Sequence, residues 1–243
     1  MSSIRLSPRD MWALQWVAEM YAVPMSVLAA LLGTSEQNAY RVASRWKAAG
    51  MLPSKKTYRP IPGSQWVVPS SDVATSLLGF HCSAWVPGPK NANHLVRTAQ
   101  VRIALAGNKP GEEDSWISER VLRHSTRPES FGGARPHLHD GHFTDDLGRL
   151  HAIEVELTRK GSADAKAKVR AAYDAAKKAG AASLIYYAAN PDVATRVITA
   201  GKAVLRPPTG DDPDFRVTQL DELIDIKTET NRPRGLFAAG GAA

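Results

Sequence analysis

The chain has a single cysteine, Cys82, among its 243 residues. One cysteine excludes an internal disulfide and a cysteine-based zinc site. It fits an intracellular, reducing compartment, so a cytoplasmic location is expected. Long apolar runs are also missing: no uninterrupted stretch approaches the ~18–20 residues that a membrane helix needs. The opening Met-Ser-Ser-Ile-Arg-Leu-Ser-Pro lacks the apolar core of a secretory signal. No membrane partner is therefore expected. There is no internal repeat. What is present is 43% hydrophobic and 23% charged residues, an ordinary globular balance that rules out wholesale disorder. The length suits one large domain or two small ones.

Charge is unevenly placed. The formal net charge is +7. Residues 1–90 hold 9 Lys/Arg against 4 Asp/Glu, so most of the excess lies in the first third. Such a balance favours an anionic partner, most often nucleic acid.

The first third reads as helices followed by a strand pair. Ser7 can cap a helix, Pro8 suits its first position, and Asp10 completes a capping box. Trp12, Trp16, Val17 and Met20 then recur at helical spacing. A short helix over 25–32 carries Val27, Leu28, Leu31 and Leu32, and Gly33 punctuates it. A third helix over 35–49 has Ala39, Val42, Ala43 and Trp46 as its apolar stripe, with Gly50 at its end. The segments 54–59 and 65–68 flank a Pro-Ile-Pro-Gly turn and predict a β-hairpin. A closing helix is expected over 71–78. Helix, short helix, glycine turn, helix and hairpin together resemble the winged helix-turn-helix family of DNA-binding domains over residues 5–80.

The polar face of the third helix offers Gln37, Asn38, Arg41 and Arg45. Gln and Asn pair with adenine and Arg with guanine O6/N7, and early positions of a reading helix reach bases. Gln37, Asn38 and Arg41 are thus the base-reading candidates. Arg45 and Lys47 are expected at phosphates. Lys55, Lys56 and Arg59 are expected on the wing, against backbone or minor groove.

Residues 81–93 contain two prolines and a glycine and read as a linker. Over 94–227 helical and strand patterns alternate, which predicts a mixed α/β domain. A helix is expected over 94–105, a strand over 116–124, an extended segment over 136–143, a turn at 145–148 and a strand over 149–160. A helix at 162–179, a strand at 183–189, a helix at 192–201 and a last strand near 204–206 or 215–217 follow. Residues 228–243 read as a flexible tail.

In the strand over 149–160, alternation sends Ile153, Val155 and Leu157 one way and Glu154 and Glu156 the other. Like charges two residues apart on one face repel, so the pair calls for a cation. Asp140, from the preceding segment, can reach the same face. Three carboxylates there would suit Mg²⁺ or Mn²⁺. This order of elements resembles the PD-(D/E)xK nuclease fold. His139-Asp140-Gly141 followed by Ile153-Glu154-Val155-Glu156-Leu157-Thr158-Arg159-Lys160 is similar to the replication-relaxation family of plasmids, phages and other mobile elements. Those proteins join a winged helix to a nuclease-like domain, and the likeness covers most of residues 5–205. It implies that Asp140 and Glu154, with the Val155 carbonyl, hold the metal. The motif lysine, which orients or activates water, is replaced by Glu156. Lys160 or Lys166 would have to substitute for it. Glu119 is a further candidate acid.

Five of the seven histidines fall between 124 and 151. No zinc spacing template is matched, and on an extended strand His137 and His139 point away from Asp140 and His142. A dedicated zinc site is therefore not expected, and His142 is the histidine placed to touch a metal or phosphate. Lys166, Arg170 and Tyr173 share one side of their helix and read as an ordinary solvated face.

Three functions follow. The first is a double-stranded-DNA-binding regulatory or replication/mobilisation accessory protein of a mobile element, its nuclease-like domain catalytically weak or silent. The second is a divalent-metal-dependent DNA endonuclease with Asp140, Glu154, Glu156 and Lys160 as its working residues. The third is a homodimeric transcriptional repressor. The missing lysine favours the first.

Overall fold

The computed structural model describes residues 5–54, 57–63, 65–108, 115–126, 136–207, 209–210 and 212–224, and it is a mixed α/β structure. Lys55 and Lys56, and the tail at 228–243, lie outside the described residues. Among the described residues no helix is long and apolar enough to cross a membrane.

Helix α1 (Pro8–Glu19) begins where its cap dictates: the Ser7 hydroxyl accepts from the Asp10 N–H, and the Asp10 carboxylate accepts from the Ser7 N–H at 2.9 Å. Strand β1 (Val23–Pro24), α2 (Met25–Leu31) and α3 (Glu36–Ala48) follow. Leu14, Val17, Leu28, Leu31, Ala39 and Trp46 are fully buried in one cluster. Strand β2 (Trp66–Val67) pairs antiparallel with β1, and α4 (Ser71–Leu78) ends at Gly79 in the left-handed conformation.

Part of the expected hairpin, at Lys55, Lys56 and Ser64, lies outside the described residues; among those described, Trp66 bridges Tyr58, and Trp66 and Val67 pair with β1. The prolines at 60 and 62 remove backbone donors from the connection. Burying Trp66 and Val67 against Ala22, Val23 and their neighbours fixes the pairing on the other edge.

Helix α5 (Pro89–Ala106) starts inside the stretch read as linker. Pro89 is at its first position, and the Asn91 side chain accepts from the Gly88 N–H at 2.9 Å. The segment read as a strand over 116–124 is β3 (Trp116–Ser118) followed by α6 (Glu119–Ser125). Ser118 caps that helix by accepting from the Val121 N–H, and Glu119 pairs with Arg123 one turn on. Then come β4 (Gly141–Thr144), β5 (Leu150–Glu156), α7 (Ser162–Lys178), β6 (Ser183–Ala188), α8 (Pro191–Val204) and β7 (Asp214–Gln219), with 220–224 helical. Residues 136–139 are not in a strand.

These strands form one sheet in the order β3-β4-β5-β6-β7. The β3–β4 and β4–β5 pairs are antiparallel, and β5–β6 and β6–β7 are parallel. β5 is covered on both faces: Ala152 packs with Ala165, Val169, Ala172 and Val197 of α7 and α8, and Ile153 and Val155 pack with Val101 of α5 and with Leu220.

Helix α5 feeds both cores. Ala99 belongs to the first cluster and Val101 to the sheet cluster. The fully buried Arg102 pairs with Glu19 at 2.8 Å and lies 4.6 Å over the Trp16 ring. Arg120 donates to the Ala18 carbonyl at 2.6 Å. Tyr21, held at φ +65°, donates its hydroxyl to Glu119 at 2.7 Å.

Candidate functional site

Helix α3 exposes Gln37, Asn38, Arg41, Ser44 and Arg45 on the side opposite Ala39, Ala43 and Trp46. Asn38 donates to the Thr34 hydroxyl at 3.1 Å and accepts from Arg41 at 3.3 Å, so the two side chains are mutually ordered. Arg45 is paired with Asp10, which ties its head back to α1. Lys47 is half-buried beside Tyr40, Thr57 and Gln65, and Arg59 is exposed. Burial opposes ionisation of Asp10. Hydrogen bonds from Ser7 and from the Trp46 indole, with Arg45 beside it, overcome that and bring its pKa down to about 2.

The second group of candidates lines a cavity of about 740 Å³ where β5 ends between α5, α7 and α8. Asp140, Glu154, Glu156 and Lys160 all face it. Each acid is held by a partner. One oxygen of Asp140 meets His94 Nε2 at 2.7 Å, and the other accepts the Val155 N–H at 2.7 Å. Glu154 Oε1 meets His137 Nε2 at 2.7 Å. Glu156 pairs with Lys160 and accepts the Thr158 N–H at 3.3 Å. Burial, together with the charge of Asp140, raises the Glu154 pKa despite His137. Burial works to lower the pKa of His94 and His137, but the acids prevail and both are raised. His139 is pushed by burial down to about 4 and is neutral at ordinary pH.

The rim of the cavity is cationic, with Lys90, Lys168 and Arg196. Lys166 is exposed and does not line it; Lys168, two residues on, does. Glu119 uses its carboxylate on Tyr21 and Arg123 in a neighbouring cleft that shares His94 and Asp140. Tyr173 is buried in the core, and Arg170 donates to the Val204 carbonyl.

The metal ligands expected were Asp140 and Glu154. Among the described residues, potential ligand atoms of His137, His139 and Glu154 lie within 4.8 Å of one another. Asp140 stands apart from that set, its two oxygens already engaged by His94 and Val155. Asp140 shares its oxygens with His94 and the Val155 N–H, and Glu154 Oε1 meets His137, so an oxygen-ligated ion between the two acids would share them with these partners.

His94 gave no signal in the sequence. Its partner is 46 residues away, and nothing local marks a histidine on an amphipathic helix as an acid's counterion. His137 was set aside by an alternation rule that needs a strand, and 136–139 are not one. His142 does not reach the acids; it lies 3.1 Å from His139 Nδ1. His151 is held by Ser183 at 2.7 Å and Asp145 at 3.1 Å, and His124 stacks on Phe80 at 4.0 Å. A scan of protein-family models returned no match, and a search of curated proteins returned none either.

Proposed function

We propose that this chain is a double-stranded-DNA-binding regulatory or replication/mobilisation accessory protein of a mobile element. In this reading residues 5–80 act as a winged helix, α3 reads bases, and the second part is a nuclease-like domain that does not cut. The observation that carries DNA binding is α3 itself. Its buried stripe fixes the helix, while Gln37, Asn38 and Arg41 stand exposed at its first turns in the most basic third of the chain. The nuclease-like reading rests on the order α5, β3, β4, β5, α7, β6 with acids on β5 and just before β4. Silence follows from charge balance. His94 answers Asp140, His137 answers Glu154 and Lys160 answers Glu156, so each acid has a partner that competes with a hard cation.

Fluorescence anisotropy of the full chain on a selected duplex tests the first part. Binding should weaken steeply with salt, as phosphate contacts require. Arg41→Ala should lower affinity for the best site by about 1–3 kcal/mol and relax preference at one base. No binding at low salt, or an Arg41→Ala protein identical to wild type, sinks the reading.

The endonuclease reading is favoured by one observation: the three acids share their cavity with Lys160, Lys168 and Arg196, a rim suited to a phosphodiester. Supercoiled plasmid incubated with Mg²⁺ or Mn²⁺ decides between the two. Cleavage that disappears in Asp140→Ala would overturn silence. Light scattering of the same preparations tests the expectation of a homodimer.

A further inference from the structure

We infer that His137, His139 and Glu154 form a binding site for a zinc-type divalent ion, open to the cavity on one side. The inference goes beyond DNA binding and does not depend on it. Two imidazoles and one carboxylate are a donor set that late first-row metals take readily and Mg²⁺ does not.

Three observations converge. First, one potential ligand atom from each residue lies within 4.8 Å of the other two. Ligands on a tetrahedral ion with bonds of about 2.0–2.1 Å sit roughly 3.4 Å apart, so closure needs only small side-chain turns. His137 Nε2 and Glu154 Oε1 are already 2.7 Å apart.

Second, His139 is prepared as a ligand. It is buried, and its Nε2–H donates to the Ala172 carbonyl at 3.0 Å. That bond fixes the tautomer and leaves the lone pair on Nδ1. A backbone carbonyl holding the far ring nitrogen is the usual support for a metal-bound imidazole. Nδ1 meets His142 Nε2 at 3.1 Å, a contact that His142 would give up when Nδ1 takes an ion.

Third, the set is anchored on rigid parts but not sealed. Glu154 is in β5 at the centre of the sheet, and Ala172 belongs to α7. His137 and Glu154 both line the cavity, which leaves a coordination position facing solvent. Three protein ligands with an open fourth position is the arrangement of an accessible zinc ion and not of a sealed structural one.

The test uses the full chain stripped with a chelator, then titrated by calorimetry and followed by thermal unfolding with ZnCl2, MnCl2 and MgCl2. One Zn²⁺ per chain should bind and raise the melting temperature, with little or no shift from Mg²⁺ at the same concentration. Co²⁺ added to wild type should give the intense visible bands of a low-coordinate, nitrogen-ligated ion. His137→Ala and Glu154→Gln should each weaken Zn²⁺ binding at least 10-fold while circular dichroism stays native. His124→Ala, which alters an exposed histidine away from the cavity, should bind like wild type. The inference is overturned if Mg²⁺ stabilises as well as Zn²⁺, or if Co²⁺ shows only its aqueous spectrum. Wild-type affinity in both site variants, or an equal loss in His124→Ala, overturns it too. DNA anisotropy on the same stripped and loaded samples reports separately on the proposed function.

Discussion

Replacing Asp10 tests how α3 is held. Its side chain is only 6% exposed and is engaged by Ser7, by the Trp46 indole N–H at 2.8 Å and by Arg45. Two of those partners belong to α3, so one carboxylate joins the cap of α1 to the C-terminal half of α3. Asp10→Ala strands the buried indole N–H, at about 1–3 kcal/mol, and removes the capping-box carboxylate while the Ser7 cap stays, at about 0.5–1 kcal/mol. Because the terms share one side chain, a total of about 2–4 kcal/mol is expected. Asp10→Asn keeps the shape and loses the charge. The fall in pKa from 3.8 to about 2 corresponds to about 2 kcal/mol at ~1.4 kcal/mol per unit. The sign follows from the depressed value: the ionised form stabilises the fold fully above the unfolded pKa near 4, and the gain is lost as pH falls towards 2. Urea unfolding by far-ultraviolet circular dichroism at pH 7 and pH 2.5 reads both effects. The difference between wild type and Asp10→Asn should be full at pH 7 and shrink to about a third of that at pH 2.5. A difference that is the same at both values, or below about 0.5 kcal/mol at pH 7, refutes the reasoning.

Other consequences are as direct. Glu19→Ala leaves the fully buried Arg102 without its carboxylate and should destabilise by about 3–5 kcal/mol in the same assay. Gly141→Ala would place a methyl 2.0 Å from the Trp116 ring, so a loss of about 1–3 kcal/mol from overpacking is expected, with a red-shifted tryptophan emission. The His94 pKa is raised by Asp140. Proton NMR should show His94 titrating above 6.5, and Asp140→Asn should bring it down. The pair's stabilisation is full below the unfolded value and fades as pH rises through the raised one.

Local signals with a physical cause were legible in the sequence. Ser7, Pro8 and Asp10 marked the start of α1, and the alternation of Ile153 and Val155 with Glu154 and Glu156 marked β5. Partner choice was less legible. The apolar residues of 65–68 predicted a strand, and besides its bridge to Tyr58 it pairs with β1, which depended on what its tryptophan could be buried against. At 116–124 the apolar pattern suited either element, and the Ser118 cap decided for a helix after three residues. At 81–93 proline and glycine read as breakers, although Gly88-Pro89 is also how a helix begins.

The site divided along the same line. The acids were found because two carboxylates on one face of a strand are unusual at the level of sequence. Their counterions were not, because each comes from another part of the chain and is chosen by folding. Asp140 and Glu154 sit where β5 is covered by helices, and a carboxylate half-removed from water must find a proton or a cation. A nuclease motif with its lysine in place would offer one cation and leave room for a metal. With Glu156 in that position, one more negative charge enters the same cavity. The chain meets it with Lys160 four residues on, His94 from α5 and His137 from outside the sheet. Histidine is the side chain suited to this because it can be cation, neutral donor or ligand as the acid beside it requires. Of the two histidines that partner the acids, His137 is also in the proposed metal set, so under both proposals one imidazole would compete with a hard ion and offer a nitrogen donor to a softer one.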